Sequence, residues 1–311
     1  MDNDQRSQQT ERAKEWLEAM KARPPFGAFD EACVRARLTD KQSAILREYL
    51  GPEEQERVRL YGYPWTLASS GESILARIAN GLILWDRCTV TGPKRRFVQN
   101  MFGLHVEPHA RAVRTDGFHI TRRSQEFYSK LFEMEVISLF LVNGFAVALL
   151  DEAGPECIAT RASLSVAVEA KLLDTDALLD TVFRHPPVPT REYVERLAAN
   201  PIHSRTPEEQ ARLAEQFFRN FDRAIEQSTT VSADVAVMFI RVNWPLDDLG
   251  VEDGLARRTE EWVGSRRSNL AGAVVCDAAE ARLIHNPCCS VSLDDLFPAV
   301  APSDLANILL D

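Results

Sequence analysis

The order of the apolar segments after residue 124 constrains the fold most strongly. Residues 124–143 carry apolar side chains at helical spacing, and Gly144 is a helix-terminating residue. Three short β-prone segments follow, separated only by turn residues, and later β-prone segments alternate with helical ones. Strands joined by tight turns pair antiparallel, whereas strands joined through a helix pair parallel. The order therefore predicts an α/β fold with a mixed sheet.

Local patterns locate the individual segments. Strands are predicted at 145–150, 156–161, 164–169, 235–242, 271–276 and 281–285. A helix is predicted from Thr206 to about Glu226, because a threonine N-cap followed by proline and two acids favours helix initiation. Further helices are predicted before residue 60 and at 72–85, 174–183, 192–198 and 254–263, with a helical or irregular tail after 293. We therefore expect a helical N-terminal region, 1–123, followed by an α/β domain, 124–311.

Charge is distributed unevenly along the chain. The net charge is −10, which argues against a protein coated in basic surface for nucleic acid. Residues 87–123 are nevertheless basic, with eight Lys or Arg side chains against two acidic ones. This stretch is either a solvated face or an anion-binding surface. In the second case its phosphate contacts are predicted at Lys94, Arg95, Arg96, Arg122 and Arg123.

Two short motifs in the strand region carry side chains suited to metal chemistry. Pro155-Glu156 starts the second predicted strand, and Glu169-Ala170-Lys171 ends the third. Side chains two positions apart on a strand share a face, so Glu169 and Lys171 lie together, and a hairpin would bring Glu156 beside them. Two carboxylates can hold Mg²⁺ or Mn²⁺, and an ammonium can stabilise developing negative charge. An ordinary surface ion pair is the alternative interpretation.

This arrangement resembles the PD-(D/E)xK nuclease superfamily, which has the restriction-endonuclease-like αβββαβ core. The matching pieces are an acid on the helix, Glu133 or Glu135, then Pro155-Glu156, then Glu169-Ala170-Lys171. The resemblance covers about residues 124–285. Glu133 is favoured over Glu135, because Val136, Ile137 and Phe140 at i+3, i+4 and i+7 place it nearer the apolar side of the helix.

The resemblance implies a metal-dependent nuclease that hydrolyses phosphodiester bonds, with DNA favoured over RNA. Glu156 and Glu169 are then the ligands of Mg²⁺ or Mn²⁺, Lys171 orients the nucleophile and Glu133 assists. Similar nucleases often dimerise or act in antiphage defence or DNA repair, which implies a homodimer or a defence-complex partner. One residue departs from the family pattern, because the first strand acid is usually Asp and here is Glu156.

Two other functions stay open at this point. The chain could be a catalytically inactive interaction protein that keeps the nuclease-like fold, an interpretation favoured by the Glu156 departure. It could also be a metal-independent ribonuclease using Arg114 and His119, which have the R-x4-H spacing of a helical ribonuclease family, although Gly117 argues against the continuous helix that this motif needs. No Walker or GxGxxG loop occurs, so no organic cofactor is expected.

The compartment is predicted to be the cytoplasm. The N-terminus is polar and lacks the apolar region of a signal peptide. The longest apolar run, near 136–150, is interrupted by Asn143 and Gly144, and it is too short to span a membrane. The six cysteines show no CxxC pair, which is typical of reduced structural thiols.

Overall fold

A computed structural model describes residues 71–101, 122–151, 154–173, 207–228, 230–242, 269–276 and 281–300, and the single positions 40 and 44. Its helices are α1 (Gly71–Arg87), α2 (Lys94–Gln99), α3 (Arg122–Val142), α4 (Pro207–Ser228) and α5 (Leu293–Leu296). Its strands are β1 (Val90–Thr91), β2 (Ala146–Leu149), β3 (Cys157–Arg161), β4 (Leu164–Leu173), β5 (Val235–Val242), β6 (Leu270–Cys276) and β7 (Ala281–His285).

The described strands form one seven-stranded sheet in the order β1 to β7. The pairs β2–β3, β3–β4 and β6–β7 are antiparallel, while β1–β2, β4–β5 and β5–β6 are parallel. This pattern follows the connections, because the antiparallel neighbours are separated by few residues in the sequence and α4 lies between the parallel strands β4 and β5. The predicted mixed α/β sheet is confirmed.

Helices cover both faces of the sheet. One core cluster joins α1 and α3 to alternate residues of the central strands, among them Val166, Val168, Val235, Val237 and Phe239. The other cluster packs Phe217 and Phe221 of α4 against the intervening residues, among them Ala167, Ala236, Met238 and Ile240. Residues of opposite parity on β4 and β5 therefore face different helices, as the two-residue period of a strand requires.

The predicted strand bounds differ most at β4. Its pairing with β5 continues from Val166 opposite Val235 to Leu173 opposite Val242, whereas the prediction ended the strand at residue 169. Charged residues interrupt the apolar alternation near that position, so the sequence pattern ends there although the hydrogen-bonded pairing with β5 continues. Because β3 begins at Cys157 opposite Val168, the last part of β4 extends beyond its neighbour on that side.

The segment just before residue 102 belongs to the same sheet and core. β1 pairs with β2, and the indole Nε1 of Trp85 on α1 donates to Ser138 Oγ on α3 at 3.1 Å. The sequence pattern predicted neither β1 nor α2. Gly92 joins them with φ 88, where a Cβ would collide with the carbonyl oxygen of Leu149. The domain division at residue 123 stays a prediction.

Several predicted helices lie outside the described residues, namely those before residue 60 and at 174–183, 192–198 and 254–263. Within the described ranges, no helix combines the length and apolar character that a membrane crossing needs.

Candidate functional site

The predicted site residues of the two strands lie at the start of β3 and in the C-terminal part of β4, where β4 extends beyond its neighbour. Ala167 packs into the cluster beneath α4, so Glu169 and Lys171, at two-residue steps along β4, share that face. Glu156 directly precedes β3, and its backbone N–H donates to the carbonyl of Val168 at 2.9 Å. The hairpin thus places the Pro-acid residue next to the E-x-K strand.

The three side chains of the two motifs meet. The Nζ of Lys171 lies 2.5 Å from Oε1 of Glu169 and 4.0 Å from Oε1 of Glu156. The carboxylates of Glu169 and Glu156 therefore both lie near the ammonium group of Lys171, as expected from the predicted hairpin.

Helix α3 adds two more charges to this site. Lys130 Nζ lies 2.5 Å from Oε2 of Glu133 and 3.6 Å from Oε2 of Glu156. The five side chains form what we call the carboxylate–lysine cluster, in which charges alternate from one member to the next: Glu133, Lys130, Glu156, Lys171 and Glu169. The sequence interpretation included Glu133 and missed Lys130. The i,i+3 spacing of Lys130 and Glu133 was the available signal, because it places both on one side of a helix.

Glu169 is the least solvated member of the cluster. Its side chain is 0% exposed, and neither carboxylate oxygen makes a hydrogen bond with a described residue. The short contact to Lys171 is thus a close ion pair without hydrogen-bond alignment. Leaving a buried carboxylate oxygen without a hydrogen bond costs folding free energy, so such groups call for a functional or structural reason.

Burial shifts the pKa values of two carboxyl groups in the cluster. It raises the pKa of Glu169 to about 7, against the opposing effect of Lys171 and with a further increase from Glu156. Burial also raises the pKa of Glu133 well above its usual range, and the charge of Glu156 adds to the effect while Lys130 opposes it. Shifts of this kind are concentrated at functional sites, although structural ion pairs also produce them.

Two neighbouring groups respond to the same charges. Burial alone would lower the pKa of Lys130, but the carboxylates of Glu133 and Glu156 outweigh it and the pKa is raised. The thiol of Cys157 is fully buried, and its pKa is raised well above the usual range by burial and then by the adjacent carboxylates. Lys130 is therefore an ammonium and Cys157 a neutral thiol at physiological pH.

Helix α2 carries part of the predicted basic surface and lies beside the cluster. Lys130 Nζ is 5.4 Å from the ring centroid of Phe97 on this helix. Arg96 pairs with Asp151 at 2.6 Å, Lys94 pairs with Asp86 at 2.5 Å, and Arg95 is exposed. The other predicted phosphate contacts, Arg122 and Arg123, begin α3, but their side chains are outside the described part. Arg114 and His119 lie outside it altogether.

The cluster has a donor set that fits a lightly coordinated divalent cation. Mg²⁺ commonly takes one or two protein carboxylates and completes its shell with water and substrate oxygens. Glu156 and Glu169 supply two carboxylates, and Oε2 of Glu169 makes no hydrogen bond with a described residue. Among the described residues, no group of three or more His, Cys, Asp or Glu side chains has a metal-binding arrangement. Glu156 and Glu169 are therefore the two protein ligands that we assign to this site.

Comparisons with known proteins add nothing to this description, because no protein-family model, curated protein or solved structure matches the chain. The fold and the site together define a mixed α/β protein with a partly buried carboxylate–lysine cluster at the C-terminal part of its central strand β4.

Proposed function

We propose that this protein is a metal-dependent nuclease of the PD-(D/E)xK type. One observation carries the proposal: Glu156 and Glu169, from neighbouring strands, both lie around the ammonium of Lys171. Among the described elements, the order α3, β2, β3, β4, α4, β5 is also consistent with the αβββαβ order that the resemblance implies. Surface ion pairs form on many folds, but here one carboxylate is fully buried, and its oxygens make no hydrogen bond with any residue that the structure describes.

In this proposal Glu156 and Glu169 hold Mg²⁺ or Mn²⁺. When bound there, the cation supplies polarisation of a phosphoryl oxygen. Lys171 donates hydrogen bonds to the attacking water and stabilises the negative charge that develops on the phosphoryl group. Glu133 assists from α3, where its carboxylate pairs with Lys130. The extra methylene of Glu156, compared with Asp, extends its reach toward the end of β4.

Helix α2 is the proposed contact for the nucleic-acid backbone. It lies beside the cluster through Phe97 and Lys130, and it presents Lys94, Arg95 and Arg96. Phosphate contacts of this kind position a substrate without reading its sequence. The preference for DNA, the cytoplasmic location, the homodimer and the role in defence or repair stay predictions from the sequence.

A cleavage assay tests the proposal. Plasmid DNA, linear duplex DNA and single-stranded RNA are incubated with the full chain in Mg²⁺, Mn²⁺ or EDTA. We expect cleavage that requires the metal and that is lost in Glu169→Gln and Lys171→Met. Glu215→Gln is the matched control, because Glu215 forms an exposed pair with Arg219 on α4. No cleavage of any substrate, together with no Mn²⁺ binding by calorimetry, would refute the proposal.

A catalytically inactive interaction protein is the second candidate. The observation that favours it is the neutralisation of the cluster, since Lys130 and Lys171 already pair with all three carboxylates. This candidate predicts nucleic-acid or protein binding that is unaffected by EDTA and by Glu169→Gln. The same assay therefore separates the two functions.

A further inference from the structure

Lys130 lies between the carboxylates of Glu133 and Glu156. Catalytic sites with two metal ions, nucleases among them, hold the ions about 3.5–4 Å apart. In this cluster Glu156 has one oxygen toward Lys171 and the other toward Lys130. Lys130 Nζ also lies 2.5 Å from Glu133 Oε2, so a cationic group already stands between the carboxylates of α3 and β3.

We propose that Lys130 is a built-in substitute for a second metal ion, so that the site binds one divalent cation and not two. This inference rests on the proposed nuclease function and specifies its metal stoichiometry. Lys130 is a positioning residue in this account: it holds Glu133 and Glu156 in place, and it does not contact the substrate.

Burial and charge explain why the ammonium can fill this place. The side chain of Glu133 is only 4% exposed, and a buried carboxylate without a compensating cation is costly. Lys130 itself is 30% exposed, and its Nζ lies 5.4 Å from the ring centroid of Phe97, within the range of a cation–π contact. The lysine therefore neutralises Glu133 in the free protein, which an exchangeable metal ion would do only when bound.

Removing the ammonium should open the second site. In Lys130→Met the apolar stem stays, whereas Glu133 and Glu156 lose their shared cation and become a pair of carboxylate ligands. The number of Mn²⁺ ions bound per chain should rise from one to two. In Lys130→Arg, which keeps the charge, the number should stay at one.

The test is titration of the full-length chain with Mn²⁺ alone, followed by calorimetry and by electron paramagnetic resonance of the free ion. A double variant, Lys130→Met with Glu133→Gln, removes the buried charge together with its partner. It should return the number of bound ions to one, and it also covers the case in which Lys130→Met alone does not fold. Arg219→Met, which removes a cation from the exposed pair on α4, is the matched control and should leave the number unchanged.

The outcomes separate this inference from the nuclease proposal. Two ions in the unaltered protein, or one ion in both the unaltered protein and Lys130→Met, overturn the substitute role and leave the nuclease proposal standing. No ion in either protein overturns both. One ion in the unaltered protein, two in Lys130→Met and one in the double variant support the role of Lys130.

Discussion

The two ends of β3 contain polar networks of opposite character. At its start, Glu156 joins the carboxylate–lysine cluster, in which Glu169 is buried and its oxygens lack a hydrogen bond within the described part of the chain. At its end, Arg161 donates from Nη1 to the carbonyls of Asn143 and Leu296, at 3.0 and 3.2 Å, and from Nη2 to the carbonyl of Asp295 at 2.7 Å.

Asn143 completes the second network, which we call the Arg161–Asn143 network. Its Oδ1 accepts from the backbone N–H groups of Ala299 and Val300 at 2.9 and 3.4 Å, and its Nδ2 donates to the carbonyl of Leu139 at 2.8 Å. These contacts attach the segment around α5 to the end of α3. Arg161 also lies over the ring of Phe145, 4.3 Å from its centroid.

The difference separates structural polar groups from functional candidates. In the Arg161–Asn143 network, backbone groups supply fixed partners, and a satisfied buried network rigidifies the fold. In the carboxylate–lysine cluster, charged groups are buried with incomplete hydrogen bonding and raised carboxyl pKa values, which disfavours folding. A fold that retains such a cluster has a candidate site there.

The largest expected effect is on the cleavage rate, and it is tested by replacing one cation in each network. Lys171→Met should lower metal-dependent cleavage by roughly 100- to 1,000-fold, because a group that stabilises developing charge is lost. Its thermal stability should also fall, because the buried carboxylate of Glu169 loses its cation. Arg161→Met should lower stability but leave cleavage per folded molecule near normal, so the contrast lies in cleavage. Single-turnover cleavage rates and thermal unfolding of both variants provide the test, and equal loss of cleavage in the two would contradict the contrast.

Asn143→Ala should destabilise the fold by about 2–4 kcal/mol, because it leaves the backbone N–H groups of Ala299 and Val300 without their acceptor. Denaturant unfolding measures this change. Thr160→Ala is the control, since the hydroxyl of Thr160 makes an exposed hydrogen bond of 3.4 Å to the carbonyl of Ala146. A loss below about 0.5 kcal/mol for Asn143→Ala, the usual range for surface changes, would show that this network is not structural.

Glu169 should make stability depend on pH. Its pKa is about 7 in the folded protein, above the ordinary value of 4.5, so between these values the folded state holds a proton that the unfolded state has lost. Stability therefore falls as pH rises through this window, by about 2–3 kcal/mol for this group. In Glu169→Gln the decrease should be smaller by this amount, with the raised pKa of Glu133 still contributing to it, whereas Glu215→Gln should retain the full decrease. Urea unfolding from pH 4.5 to 8 without metal measures the slope, and an identical slope in Glu169→Gln would exclude this origin.

The smallest effect concerns the substrate surface beside the cluster. Arg95→Ala should weaken duplex DNA binding two- to threefold. It should also reduce the slope of log K against log salt concentration by about one, the change expected for the loss of one phosphate contact. Arg223→Ala, an exposed cation on α4 across the sheet, should leave both unchanged. Fluorescence anisotropy at several salt concentrations measures these quantities. If both variants behave alike, α2 is not the binding surface.

Much of the fold was predictable because it depends on local patterns. The predicted bounds of β5 and β7 agree with the structure, as does the start of α4 within one residue. These segments have uninterrupted β-prone residues or a strong helix start. In contrast, β1 and α2 lie in a basic, weakly periodic stretch, and they form because the neighbouring strand and core supply pairing and burial.

The sequence by itself determined which residues carry the chemistry of the candidate site. The two-residue period of a strand places Glu169 and Lys171 on one face, and the short turn between β3 and β4 brings Glu156 beside them. Only the tertiary structure decided that Lys130 joins this cluster and that Glu169 is fully buried. These properties depend on how α3 packs against the sheet and on how many neighbours exclude water. Local sequence spacing contains no information about distances across the fold or about desolvation. These two properties are what shift the pKa values of the carboxyl groups in this cluster of three acids and two lysines.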